Sequence, residues 1–363
     1  IGADLLYYGL EMNYNDLNSS AYEEQIISGT EQATQTRYPN GKNDYTSLAG
    51  YVSYKNNIGE DFTAITGVRY SYIDIRSTLD TTAGYYDFPF DELTLSTGAL
   101  NGSVGLVYHP SEAFRVNLNG ASGFHAPNID NMAKVFDSEP ESVVMPNENL
   151  KPEYAYNVDF GIDWSPHNAI RLNFTAFYTW LKDAMVRREA TFNGKDSIFY
   201  EGVLSQVHKI INADRASIYG LNTVFCVDLP WDLCFESLLN YTKGEDKNGT
   251  PLRHVAPLFG QTTLSYTMEK LKARLYAKYN GEISNSELAP SEQSKIHMYA
   301  LNNDGAPYSP SWWTLNLKFS YQLESYLTFN AGVENILDVR YRPYSSGIVA
   351  PGRNFVFALR VDF

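Results

Sequence analysis

The 363 residues carry 28 Lys and Arg against 42 Asp and Glu, a net charge of −14, and 14% of them are aromatic, with 28 tyrosines. A chain this acidic lacks the basic patches that nucleic acid requires, and its mean hydropathy of −0.33 comes with no apolar run near the ~18 residues of a transmembrane helix. A membrane β-barrel stays open, because its apolar residues alternate with polar ones and cancel in any window average.

In chain order, alternation predicts fourteen strands, at about 2–16, 44–57, 61–79, 98–109, 113–125, 153–165, 168–188, 206–229, 232–245, 257–268, 271–283, 312–323, 326–343 and 352–363. The first is already in full course at its start and reads as the interior of a larger protein. The clearest is 313–323, with Trp313, Leu315, Leu317, Phe319, Tyr321 and Leu323 on one face and Thr314, Asn316, Lys318, Ser320 and Gln322 on the other. Segments 154–164, 170–180 and 271–279 repeat it. Strands of ten or more residues are long for a soluble sandwich and long enough to cross a bilayer when tilted.

The connections fall into two lengths. Six are tight turns, N-N-I-G-E, H-P-S-E, S-P-H-N, L-P-W-D, M-E-K and L-E-S, and seven are long, the largest at 17–43, 126–152 and 284–311. Short periplasmic turns alternating with long extracellular loops are the outer-membrane barrel pattern, and an even strand count then puts both chain ends on the periplasmic side. The architecture expected is an all-β, transmembrane, antiparallel up-and-down barrel wall. Its last strand sets Phe355, Phe357, Leu359, Val361 and Phe363 on one face against Asn354, Arg360 and Asp362. Across the L-P-W-D turn, pairing residues whose numbers sum to 460 would set Cys226 opposite Cys234 on the lumen face, a possible disulfide.

Three segments carry a family resemblance. S-G-F-H-A-P-N-I-D-N at 122–131, with Phe124, His125, Ala126 and Pro127, resembles the F-R-A-P box of the TonB-dependent outer-membrane receptors. N-E-N-L-K-P-E at 147–153, with Asn147, Asn149, Leu150, Pro152 and Glu153, resembles its partner N-P-x-L-x-P-E. V-E-N-I-L-D-V-R-Y at 333–341, with Asn335, Asp338 and Tyr341, is similar to the V-x-N-L-x-D-x-x-Y segment of the penultimate strand. The terminal aromatic strand matches the signal read by the barrel-assembly machinery.

The resemblance implies the last strands of a 22-stranded barrel, read as a single barrel domain over 1–363, with the N-terminal plug and TonB box absent from this chain. It implies TonB-dependent import of a scarce nutrient complex across the outer membrane of a Gram-negative bacterium: a ferric siderophore first, then cobalamin or haem, because 128–146 carries no histidine. TonB would act through the missing N-terminal region, and acidic loops would meet lipopolysaccharide through divalent cations. Loop side chains on a rigid wall would select the ligand; the candidates are His125, Arg187, Arg188, Tyr200, His297 and Tyr344, with His125 expected to bond nearby backbone. A passive porin with a self-contained smaller barrel, or a surface adhesin, are the alternatives.

No enzyme, cofactor or metal site is expected. The six histidines show no H-E-x-x-H spacing, and Asp137, Glu139 and Glu141 lack the glycine turn of an EF-hand loop.

Overall fold

A computed structural model describes residues 4–34, 36, 38–79, 88–139, 141–212 and 215–362. Fourteen strands form one antiparallel sheet in strict chain order: Leu5–Leu17, Asn43–Ile58, Phe62–Thr78, Glu92–Ser111, Phe114–His125, Glu153–His167, Ile170–Lys182, Arg215–Leu229, Leu233–Asp246, Phe259–Met268, Leu271–Asn280, Trp312–Glu324, Leu327–Glu334 and Asn354–Val361. Every expected strand is present, and the six tight turns and seven long connections alternate between the two ends of this wall.

Register explains why alternation in single strands adds up to two different faces. Leu264 pairs with Leu275, Leu275 with Leu317, Leu317 with Val333 and Val333 with Phe355, an apolar row across five strands. One row over, Phe319 stands between Ala273 and Ala331. The opposite face is polar and partly buried: Asn316 Nδ2 donates to the Tyr276 carbonyl at 3.2 Å, and Lys318 pairs with Glu334 at 3.2 Å. Among the described residues the first and last strands share no ladder, and both are exposed along almost their whole length. Phe363 lies outside the described residues.

Several boundaries differ from expectation, and the strand expected at 98–109 runs from Glu92 to Ser111. The strand expected at 168–188 leaves the wall after Lys182, and Met185–Glu189 joins a second sheet. The run expected at 206–229 divides: Val203–Asn212 belongs to that second sheet and only Arg215–Leu229 to the wall. Both halves alternate, and a period of two does not say which sheet a strand joins. The penultimate strand stops at Glu334 rather than 343, because Asn335 turns the backbone to φ +52°.

The cysteine register is also corrected. Leu229 pairs with Leu233, so paired numbers sum to 462: Cys226 faces Glu236, Cys234 faces Asp228, and both thiols are free. Trp231 and Asp232 take φ of +64° and +58°, and Pro230, which has no N–H to give a ladder, falls inside the turn. The shift by two keeps each side chain's face, so both cysteines remain on the polar side.

The buried cores lie among the long connections and the strand ends beneath them. Ile73, Ile75, Leu79 and Leu93 pack with Ile129, Met132, Ala133 and Leu150. Val135, Val143, Met145, Phe192, Tyr200 and Val207 form a second cluster, and Ile283, Leu288 and Tyr299 a third. One end of the wall is therefore roofed by structured loops.

Candidate ligand-binding loops

The two boxes build the foundation of this roof. Phe124 and Ala126 pack against the first cluster, Pro127 is fully buried, and Asn128 caps the short helix Ile129–Ala133. Asn128 Oδ1 accepts from Asn131 N at 2.8 Å while Asn131 Oδ1 accepts from Asn128 N at 3.0 Å, a reciprocal cap that satisfies two otherwise unpaired donors. Asn147 ties connections together: its backbone N–H donates to Met132 O at 2.8 Å and its Nδ2 to Ile210 O at 2.7 Å, while its Oδ1 accepts from Asn149 N at 3.0 Å. Leu150 and Pro152 are buried beside it.

His125 is corrected in its partner. Its Nδ1 lies 2.8 Å from Glu153 Oε1, a carboxylate rather than backbone, and Glu153 Oε2 accepts from Met185 N at 2.8 Å. The box histidine and the box glutamate thus join the strand ends 114–125 and 153–167 to the root of the connection 183–214, leaving the imidazole half-exposed.

Above them sits the second sheet, in which Val203–Asn212 pairs antiparallel with Met185–Glu189 and Ser197–Tyr200 and parallel with Ser142–Met145. Arg187 donates to Ser142 Oγ, and Arg188 reaches Asp246 at 3.7 Å. Tyr200 is buried within the cluster beneath, so its side chain supports the roof and offers little surface to a ligand.

The third cluster holds a charged centre that no motif marks. Glu292, in the short helix Pro290–Gln293, is fully buried. Arg253 Nε donates to its Oε1 at 2.6 Å, Lys295 Nζ lies at 3.5 Å, Tyr299 donates its hydroxyl to Oε2, and Ser345 Oγ donates at 3.4 Å. Burial opposes the charge, but the Tyr299 hydrogen bond, Lys295 and Arg253 together hold the carboxyl below its ordinary range. Burial, then the Glu292 charge, pushes the Tyr344 hydroxyl up; burial and then Arg253 push the His254 imidazole down. Tyr344 packs on Tyr299 with centroids 6.4 Å apart, and Arg342 donates to the His297 carbonyl at 2.9 Å. Three long connections, 247–258, 281–311 and 335–353, are fastened at this one point.

The remaining box is a turn. Asn335 and Asp338 sit at φ +52° and +57°, which Asn and Asp tolerate better than other side chains. Asn335 Nδ2 donates to Val339 O at 2.8 Å, its Oδ1 accepts from Val339 N at 2.9 Å, and Asp338 accepts from Arg353 N at 2.7 Å. Tyr341 lies against Trp312 with centroids 4.1 Å apart.

The sequence candidates therefore divide. His125, Arg187, Arg188 and Tyr200 belong to the boxes and the second sheet, and His297 and Tyr344 to the loops around the charged centre; Glu292, Lys295 and Tyr299 were missed because their spacing matches no motif, and Arg253 because only folding brings it to them. A roof of loops set on box motifs over a fourteen-stranded wall is matched by the family model described as TonB dependent receptor-like, beta-barrel, over residues 2–336. The chain belongs to that family. Its members are outer-membrane β-barrel receptors of Gram-negative bacteria. An iron-regulated outer membrane virulence protein of Vibrio cholerae is 23% identical over 251 residues, covering 67% of this chain and 36% of that protein. A probable hemoglobin and hemoglobin-haptoglobin-binding protein 4 of Haemophilus influenzae is 19% identical over 308 residues, covering 72% and 29%. The solved copper transporter OprC superposes with a TM-score of 0.77 at 15% identity, covering 99% of this chain and 54% of that one. The chain thus spans about a third of the curated relatives' length.

Proposed function

We propose that this chain supplies wall and roof to a TonB-dependent importer that carries a scarce nutrient complex across the outer membrane, a ferric siderophore first and then cobalamin or haem. The observation that carries the reading is the asymmetry of the two ends: tight turns at one, and at the other long connections braced by the boxes, the second sheet and Glu292. A passive pore needs no such roof, whereas a receptor needs side chains held in place over its entrance. Relatives named for iron regulation and for hemoglobin binding favour an iron-bearing cargo.

In this reading the long connections are extracellular, with lipopolysaccharide around them, and the tight turns are periplasmic. The apolar row faces lipid, and the terminal strand is read by the barrel-assembly machinery. Further strands outside this chain pair with the two exposed edges, since an unpaired edge has no place in lipid. A plug preceding the wall couples to TonB.

Uptake of radiolabelled iron tests it. A strain lacking the gene should lose uptake from a particular ferric siderophore or from haem, and loss of TonB should have the same effect. Equal uptake with and without TonB, together with free passage of small sugars, would establish a passive pore instead.

A further inference from the structure

A cavity of about 260 Å³ opens between the connections 281–311 and 335–353. Its walls include Met298, Tyr299, Trp312, Arg340, Tyr341 and Arg342. The Trp312 and Tyr341 rings lie against each other, with centroids 4.1 Å apart and planes inclined by 31°, and this stack makes one wall aromatic. Tyr299, on another side, is held by its bond to buried Glu292.

The charge of this cavity is one-sided. Two guanidiniums line it, and among the described residues no carboxylate does. Glu292, behind Tyr299, is already met by Arg253 and Lys295, and Glu334 is paired with Lys318. Among the described residues Arg340 has no ion pair, and Arg342 makes one hydrogen bond, to the His297 carbonyl at 2.9 Å. Each guanidinium carries five N–H donors in a fork that fits a carboxylate, so most of this capacity is open.

We propose that the cavity binds a small planar organic anion, an aromatic carboxylate, with its carboxylate on Arg340 and Arg342 and its ring on the Trp312–Tyr341 wall. Charge selects the acid, since cationic forks in a partly desolvated setting bind carboxylates strongly. Shape selects the ring, which stacks on aromatic faces and covers apolar surface. Size sets the limit: the volume lies just under the roughly 300–1,000 Å³ of sites for drug-sized ligands, so it takes one ring and its acid, not a whole metal chelate. The site stands apart from the import reading and does not depend on it.

Titration of the purified protein in detergent micelles with benzoate tests the assignment, followed by calorimetry or ligand-observed NMR, with benzamide as the uncharged control. Benzoate should bind saturably and benzamide at least tenfold more weakly. Arg340→Gln should weaken benzoate about tenfold, the effect of one charged hydrogen-bonding group; because Arg340 is exposed and unpaired, this variant leaves the fold intact. Trp312→Leu, which disturbs packing, is read beside it with heat-modifiable gel mobility as the folding control, and in folded protein should weaken benzoate and cyclohexanecarboxylate unequally. The proposal is overturned if millimolar benzoate shows no saturable binding, if benzamide competes equally, or if Arg340→Gln leaves benzoate affinity within twofold.

Discussion

Replacing Glu292 by glutamine should release the roof without harming the wall. Glutamine keeps the shape and one acceptor but removes the charge that Arg253 meets at 2.6 Å and Lys295 at 3.5 Å. Arg253 is 38% exposed and can turn to water, whereas Lys295 is 5% exposed and cannot. Breaking a buried pair on one side costs about 3–5 kcal/mol; with only one cation trapped, the lower end applies, so local opening should rise by about 100-fold. Hydrogen exchange followed by mass spectrometry, on protein in micelles, should show this acceleration in peptides from 284–301 and 341–348 and none in the strand Trp312–Glu324. The pH dependence has a definite sign. Because the folded carboxyl titrates below its ordinary 4.5, its contribution is complete above that value and is lost as pH falls through the lower, folded one. Intrinsic-rate-corrected protection should thus be flat from about pH 7 to 8, weaken below the ordinary 6.5 of His254, which is also held down in the folded loops, and fall further below about pH 5 as Glu292 is protonated. Loop exchange unchanged within twofold in the variant, or accelerated equally in the wall strand, would refute the bracing role.

Phe319→Arg should destabilise the assembled wall by about 2–4 kcal/mol, while Lys318→Gln, which loses a half-exposed pair with Glu334 and a contact over the Tyr276 ring, should cost about 1 kcal/mol; equal shifts in the temperature at which the folded gel band disappears would contradict the assigned faces. Asn335→Ala should cost about 2 kcal/mol, since it leaves partly buried backbone groups of Val339 unmet and puts alanine at a positive φ; a melting temperature equal to the parent's would remove the turn from the structural account. Both Cys226 and Cys234 should take a maleimide label when the protein is unfolded without reductant, as expected of free thiols; labels appearing only after reduction would restore the bridge.

Much of the wall was legible because its information is local. A strand turns over every second residue, so Trp313, Leu315, Leu317 and Phe319 announce a face without reference to any neighbour, and the two-length rhythm of connections orders the strands. The same locality misled where two elements look alike: Val203–Asn212 alternates as well as Arg215–Leu229 does, and only packing against Ser142–Met145 assigns it to the roof. The box motifs were legible as a pattern but not as a role. Asn147 and Asn335 prove to be clamps and turn residues, whose partners Ile210 and Val339 no spacing names.

The kind of wall, its face polarity and its strand order follow from the order of residues alone, through a period of two and turn chemistry. The tertiary structure decided which loops touch. Glu292 gains one of its two charge partners from Arg253, 39 residues earlier, and its last hydroxyl from Ser345, 53 residues later, and the Trp312–Tyr341 wall joins residues on opposite sides of a hairpin. Contacts of that kind depend on where the whole sheet places the ends of its strands, so the bracing of the roof and the arginine-lined cavity are properties of the folded chain.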